Sequence, residues 1–189
     1  MSILLRIDAS SRTQDSHSRD LANFFEERWL SSNPERKVIH RDLIKTQIPH
    51  ISEKTITGFY TPDKEQDQKL IEATRLSDEL ITELMSADTL LIATPMYNFS
   101  IPSALKAWID QIVRIGQTFS FSPDNGFEGL VKNKRAYVLT ATGAVFSNEG
   151  MQELDFLTPY LRSLLSFLGF TDIEFITIEG TTTDESALK

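Results

Sequence analysis

Thr89-Leu90-Leu91-Ile92-Ala93-Thr94, then Pro95-Met96-Tyr97-Asn98-Phe99-Ser100-Ile101-Pro102, then a helical pattern from Ser103 to Arg114: this stretch decides the fold. An unbroken apolar run bounded by turn residues suits a strand buried on both faces of a parallel sheet. Pro95 and Pro102 keep helix out of the connection, and Pro102 fits the first turn of the helix that follows. The residues between the prolines therefore sit in a loop at the carboxyl end of a buried strand, where open α/β sheets bind ligands. Asn98 offers amide donors and acceptors, and Tyr97 and Phe99 offer flat apolar area, a composition suited to a heteroaromatic ligand with hydrogen-bonding edges. A plain strand–turn–helix connector fits the spacing equally well.

The 189 residues suit a single domain spanning 1–189, long enough to bury a core without covalent staples. Cysteine is absent, which excludes disulfides, thiolate catalysis and cysteine-based metal sites. His17, His40 and His50 have no ligand-like spacing, so no metal is expected. A net charge of −8 argues against a nucleic-acid partner, since phosphate contacts need a basic face. No apolar run reaches membrane-spanning length, and Arg6 and Asp8 interrupt any signal-peptide core. A cytoplasmic protein with no membrane association is the expectation.

Working outward, Ile3 to Ile7 reads as a first strand, followed by a hydroxyl-rich segment from Asp8 to Ser18. Leu21, Ala22, Phe24, Phe25, Trp29 and Leu30 then recur at helical spacing. A loop of serines entering a helix suits an anion, because free N–H groups and the positive dipole end meet there. Neither G-x-G-x-x-G nor G-x-x-x-x-G-K-[ST] is present, so the ligand expected is a monophosphate rather than a dinucleotide or triphosphate. Ordinary helix capping by Ser16 or Ser18 is the competing reading, and Arg12 either assists the anion by charge or, the favoured reading, is merely solvated.

Lys37 to Leu43 reads as a second strand, Ile44 to Thr61 as a surface excursion, and Thr61-Pro62 as the start of a long helix. That helix carries an apolar stripe of Leu70, Ile71, Ala73, Leu76, Leu80, Ile81, Leu84 and Met85, expected as core packing. Pro123-Asp124-Asn125-Gly126 marks a turn between Phe119, Phe121 and Phe127, aromatics that suit a pocket mouth, a subunit interface or the core. Arg135 to Thr140 is a fourth strand ending in the small-residue loop Thr140-Ala141-Thr142-Gly143. Thr158-Pro159 opens a helix stopped by Gly169, and Asp172 to Ile178 is a fifth strand. Five strands alternating with helices give an α/β fold, a doubly wound five-stranded parallel sheet with helices on both faces. Right-handed crossovers bring the loops after the first, third and fourth strands to one rim.

Pro95-Met96-Tyr97-Asn98-Phe99 with Leu105-Lys106 and Asp110 resembles the FMN-dependent NADH azoreductases of the flavodoxin-like NAD(P)H:quinone oxidoreductase group. The resemblance runs along nearly the whole chain, through Ser10, Ser16-His17-Ser18, Phe119 to Leu130, Thr158-Pro159-Tyr160-Leu161 and Phe167-Leu168-Gly169. It implies a homodimer with two FMN sites at the subunit boundary. Ser10, Ser16, His17 and Ser18 would hold the phosphate and ribityl end of tightly bound, non-covalent FMN. Met96, Tyr97, Asn98 and Phe99 would line its ring, with Thr140, Ala141, Thr142 and Gly143 as the third loop. Phe121 and Phe167 match positions that wall the substrate space. The third loop departs from the common Ser-Arg-Gly-Gly of the family. Family members usually continue through a further helix, of which Thr183 to Lys189 can supply only the beginning.

The implied reaction is two-electron, ping-pong transfer from NADH or NADPH through FMN to quinones or azo compounds, without a side-chain acid or base. No basic cluster for a 2′-phosphate stands out, which favours NADH. The alternative is a flavodoxin-like FMN electron carrier without a substrate of its own. A phosphoryl-accepting receiver domain would need aspartate where Thr94-Pro95 stands.

Overall fold

The computed structural model describes residues 2–182, and its elements follow in chain order. They are β1 (Ile3–Asp8), α1 (His17–Ser31), β2 (Lys37–Asp42), α2 (Glu53–Tyr60), α3 (Gln68–Ser86), β3 (Thr89–Pro95), α4 (Ser103–Ile112), β4 (Phe119–Ser122), β5 (Gly126–Gly129), β6 (Arg135–Ala141), α5 (Leu157–Leu168) and β7 (Asp172–Ile178). Five strands form a parallel sheet in the order β2-β1-β3-β6-β7, with β4 and β5 as a separate antiparallel hairpin.

Alternation within the apolar runs builds two cores. Leu5, Ile7, Leu90, Ile92 and Val138 face one side and pack with Leu80 and Leu84 of α3, Leu105 and Trp108 of α4, and Leu161 and Leu165 of α5. Leu4, Leu91, Ala93 and Leu139 face the other and pack with Ala22 of α1, flanked by Phe25 and Trp29. Side chains alternate across a strand, so one buried run feeds both layers. Asp8 pairs with Ala93, Pro95 with Ala141, and Ala141 with Ile178, so β1, β3, β6 and β7 end close together. That register brings their following loops to a common rim.

Strand ends agree with the sequence reading to within one residue, and three helices depart from it further. The stretch read as an excursion contains α2, opened by a capping box between Ser52 and Thr55. Its Gly58 is not a breaker; α3 passes so close that a Cβ there would lie 2.5 Å from Thr74 Cγ2. Thr61 closes α2 instead of opening α3, and Pro62 precedes a short 3-10 turn, Asp63–Glu65. The α3 cap is Asp67, whose side chain accepts from the N–H groups of Lys69 and Leu70. On α3, Ile71 (47 % exposed) and Met85 (40 % exposed) leave the expected stripe. Thr74 and Ser77 turn inward instead, Ser77 Oγ donating to the Gln111 carbonyl of α4 at 2.6 Å. The helix expected to reach Arg114 ends at Ile112. Thr183 to Lys189 lie outside the described residues.

The hairpin docks on the end of α5 through glycine. A Cβ on Gly129 would lie 2.3 Å from Gly169 N and from Leu168 C, a contact with backbone that cannot move aside cheaply. Gly129→Ala is therefore expected to cost about 3 kcal/mol, seen as a lower urea midpoint. Gly126→Ala, at φ +71° with nothing within 4 Å, should cost less, about 1–2 kcal/mol from backbone strain alone.

Candidate functional site

The loop after β1 delivers three serines to the start of α1. Ser10, Ser16 and Ser18 are all buried, at 2 %, 5 % and 1 % exposure. Ser16 Oγ donates to Ser10 Oγ at 2.9 Å and lies 3.5 Å from Ser18 Oγ. Ser16 occupies the N-cap of α1, yet its side chain makes no cap hydrogen bond. The capping role open to it in the sequence is thus not the one it takes. Among the described residues nothing accepts from the backbone N–H groups of His17, Ser18 and Arg19; the first satisfied donor is Asp20, bonded to the Ser16 carbonyl. Three free N–H groups, the positive end of a fifteen-residue helix and a chain of hydroxyls make an anion cradle. Asp15 at φ 51° bends the chain into it.

The loop after β3 makes a two-residue turn. Tyr97 N–H donates to the Ser100 carbonyl at 2.9 Å and Ser100 N–H to that of Tyr97 at 3.1 Å. The central residues, Asn98 at φ 48° and Phe99 at φ 69°, are both left-handed, a conformation bulky side chains rarely adopt. The turn leaves the N–H groups of Asn98 and Phe99 without acceptors among the described residues. The loop after β6 is tied to the end of β7. Thr142 N–H donates to the Ile178 carbonyl at 2.9 Å, while the Thr142 and Gly143 carbonyls accept from Thr181 and Thr182. Glu179 accepts from the N–H groups of Phe146 and Ser147.

These loops enclose one cavity of about 280 Å³, lined by Ser10, Ser16, His17, Ser18, Met96, Tyr97, Ala141 and Gly143, with Arg12, Asp15, Pro95, Thr181 and Thr182 beside them. Met96 is shared with a second cavity of about 370 Å³ that Thr140 and Thr142 line together with Leu157 and Thr158. Asn98 and Phe99 stand exposed at the rim and line neither cavity. Arg12 is exposed, as expected, but faces the cradle. Thr181 and Thr182 escaped sequence reading because they follow the last strand and have no motif.

Phe121 and Phe167 are not brought to the cradle of their own chain. They join Phe119 and Phe127 in an aromatic cluster on the hairpin, with Phe127 5.7 Å from Phe167 and 4.9 Å from Phe121. Phe167 lies ten residues along α5 from Leu157, about 15 Å at helical rise. Phe121 and Phe127 are 53 % and 65 % exposed.

Behind the cradle lies an ion network. Arg19 donates to both carboxylate oxygens of Asp42, at 2.7 and 3.0 Å, and Arg6 joins Asp8 to Glu26. Burial by itself would raise the Asp42 carboxyl, but the Arg19 fork and the N–H groups of Ile44 and Lys45 outweigh it and hold it down to about 2.

A family model described as the flavodoxin-like fold matches residues 2–189. The chain is 39 % identical over 188 residues to the FMN-dependent NADH:quinone oxidoreductase of Hydrogenovibrio crunogenus, covering 100 % of this chain and 93 % of the relative. It is 47 % identical over 176 residues to that of Xanthobacter autotrophicus, covering 92 % and 84 %. Among solved structures, an azoreductase from Bacillus anthracis superposes with a TM-score of 0.89 at 28 % identity, over 96 % of this chain and 88 % of the other. An FMN-dependent NADH-azoreductase from Bacillus anthracis in complex with FMN also gives 0.89, at 25 % identity over 98 % and 91 %.

Two outcomes follow from the geometry. Ser16→Ala removes no cap bond but does remove the Ser16–Ser10 hydroxyl bond, so its stability loss in thermal melts should be that of one hydrogen bond, about 1 kcal/mol. Asp42, depressed in the folded state, adds stability fully present above the ordinary carboxylate range and lost as pH falls toward 2. Urea midpoints from pH 6 down to pH 2 should fall more steeply for the natural protein than for Asp42→Asn.

Proposed function

The chain belongs to the flavodoxin-like family of FMN-dependent NADH:quinone oxidoreductases, and we propose that its reaction is two-electron transfer from NADH to quinones, with azo compounds as further acceptors. The observation that carries the reading is a cavity between three loops, with hydroxyls and unmet N–H groups of the first loop and Met96 and Tyr97 of the second on its walls. These residues fit FMN. The phosphate would be held by the free N–H groups of His17, Ser18 and Arg19 and the hydroxyls of Ser10, Ser16 and Ser18, with Arg12 beside them. Met96, Tyr97, Ala141 and Gly143 would line the space for its ring, with Asn98 and Phe99 at the rim and Thr140 and Thr142 in the adjoining cavity.

Bound FMN supplies the hydride and two-electron chemistry. The chain supplies binding, orientation and electrostatics. The N–H groups of Asn98 and Phe99, held by a strained turn, are available as donors to a carbonyl-bearing ring edge. Tyr97 and Phe99 present apolar area beside those donors, which excludes water from a stacked partner. No side chain is assigned as acid or base.

The protein is a homodimer in this reading, and one 1–189 unit is a single FMN-binding domain. Support comes from the aromatic hairpin: Phe121 and Phe127 are exposed and lie away from their own cradle, as suits side chains that complete the site of a second copy. Phe121 and Phe167 then wall the partner's substrate space. Among the described residues no helix is long and apolar enough to cross a membrane.

Purified protein should carry the visible absorbance of FMN and give parallel double-reciprocal lines for NADH against quinone. A colourless preparation that takes up no FMN, or one that oxidises no NADH with quinone present, rejects the reading. Ser16→Ala combined with Asn98→Ala should weaken FMN at least about tenfold, one lost bond to a charged group being worth about that much. Phe121→Ala should raise the quinone KM with FMN still bound.

A further inference from the structure

We propose that Arg19 is a positioning residue for phosphate recognition, holding the Ser10 peptide so that the Ser10 hydroxyl and the start of α1 face one anion, without touching the anion itself. The proposal rests on the FMN reading above and assigns a role within its cradle.

Arg19 stands in the first turn of α1, and its backbone N–H is one of the three free donors. Its side chain turns back beneath the loop. Nη1 and Nη2 form a two-pronged pair with Asp42 at the end of β2, and Nη1 lies 3.8 Å from Asp8 at the end of β1. Nη2 also donates to the Ser10 carbonyl at 2.8 Å. One planar group thus joins two strand ends, the loop and the helix. Ser10 passes that constraint on, since its Oγ accepts from Ser16 Oγ at 2.9 Å and from Arg12 N–H at 3.3 Å. With its carbonyl drawn down to Arg19, the Ser10 peptide keeps its hydroxyl in the cradle.

Charge alone does not explain the arrangement. Arg6 and Arg19 face Asp8, Asp42 and Glu26, so the network has no surplus positive charge with which to attract a phosphate. Both terminal nitrogens of Arg19 are already engaged, and its buried Nε has no partner among the described residues. What the guanidinium supplies is a rigid fork, which lysine cannot reproduce. Lysine at this position keeps the charge and loses the geometry.

The test compares FMN with riboflavin, which lacks only the phosphate, by quenching of flavin fluorescence on flavin-free protein. Natural protein should bind FMN much more tightly than riboflavin. Arg19→Lys should lose at least about tenfold in FMN affinity while riboflavin affinity stays within about twofold. Asp42→Asn keeps Arg19 and every cradle residue but removes the anchor of the fork, and should shift the FMN-to-riboflavin ratio in the same direction. An unchanged ratio in either variant, equal losses of both flavins, or a variant that no longer folds assigns Arg19 to stability alone and overturns the proposal. Natural protein that binds neither flavin, or both equally, rejects the FMN cradle itself, an outcome separate from any behaviour of the variants.

Discussion

Three backbone N–H groups at the start of α1 have no acceptor within the described chain, and the site is arranged around that unmet demand. A helix normally satisfies such donors with its own cap. Here the residue in the cap position spends its hydroxyl on Ser10 instead. The donors and hydroxyls therefore wait for an external acceptor, and the helix dipole selects an anion. The sheet makes the arrangement useful. β3 and β6 end together and β1 two residues earlier, so the loops that follow them meet at one rim.

A site made of turns needs those turns to be rigid. The Asn98-Phe99 turn places a bulky aromatic at positive φ, which costs free energy of order 1–3 kcal/mol. It is held by the paired Tyr97 and Ser100 bonds, by the Phe99 carbonyl accepting from Phe156 N–H at 3.0 Å, and by edge contact of Phe99 with Phe146. Strain at this point has a functional consequence. A relaxed turn would bring its central N–H groups back into internal bonding or into water.

The strand–loop–helix alternation was legible from apolar runs and proline punctuation alone. β7 and the Gly169 stop stand where the pattern put them, because a buried strand and a left-handed cap leave strong local signatures. α2 was not legible, since eight residues containing a glycine give too little periodicity, and Gly58 is explained only by the approach of α3. The start of α3 was misplaced because Thr61-Pro62 and Asp67 both have capping chemistry, and only tertiary packing chooses between them. Gathering of the serines with Met96 and Tyr97 followed from topology. The hydroxyl chain did not, because Ser16 is an equally good cap on paper. That Phe121 and Phe167 lie outside the cradle of their own chain was invisible, since sequence spacing does not say where a hairpin docks.

The third loop shows how an altered sequence reaches a similar end. The resemblance sets this loop beside the common Ser-Arg-Gly-Gly, and Thr140-Ala141-Thr142-Gly143 has neither the arginine nor the first glycine. Flexibility is removed from outside instead. Thr142 Oγ1 donates to the Ala144 carbonyl at 2.8 Å, and Thr181 donates to the Thr142 carbonyl through both its N–H and its hydroxyl. Thr182 does the same to Gly143, packing so closely that a Cβ on Gly143 would lie 3.2 Å from it. With the Thr142 and Gly143 carbonyls engaged, the Gly143 N–H is left without an acceptor among the described residues. Backbone donors do not depend on side-chain identity. A loop whose carbonyls are bonded from behind can therefore keep a backbone N–H available whatever side chains it carries.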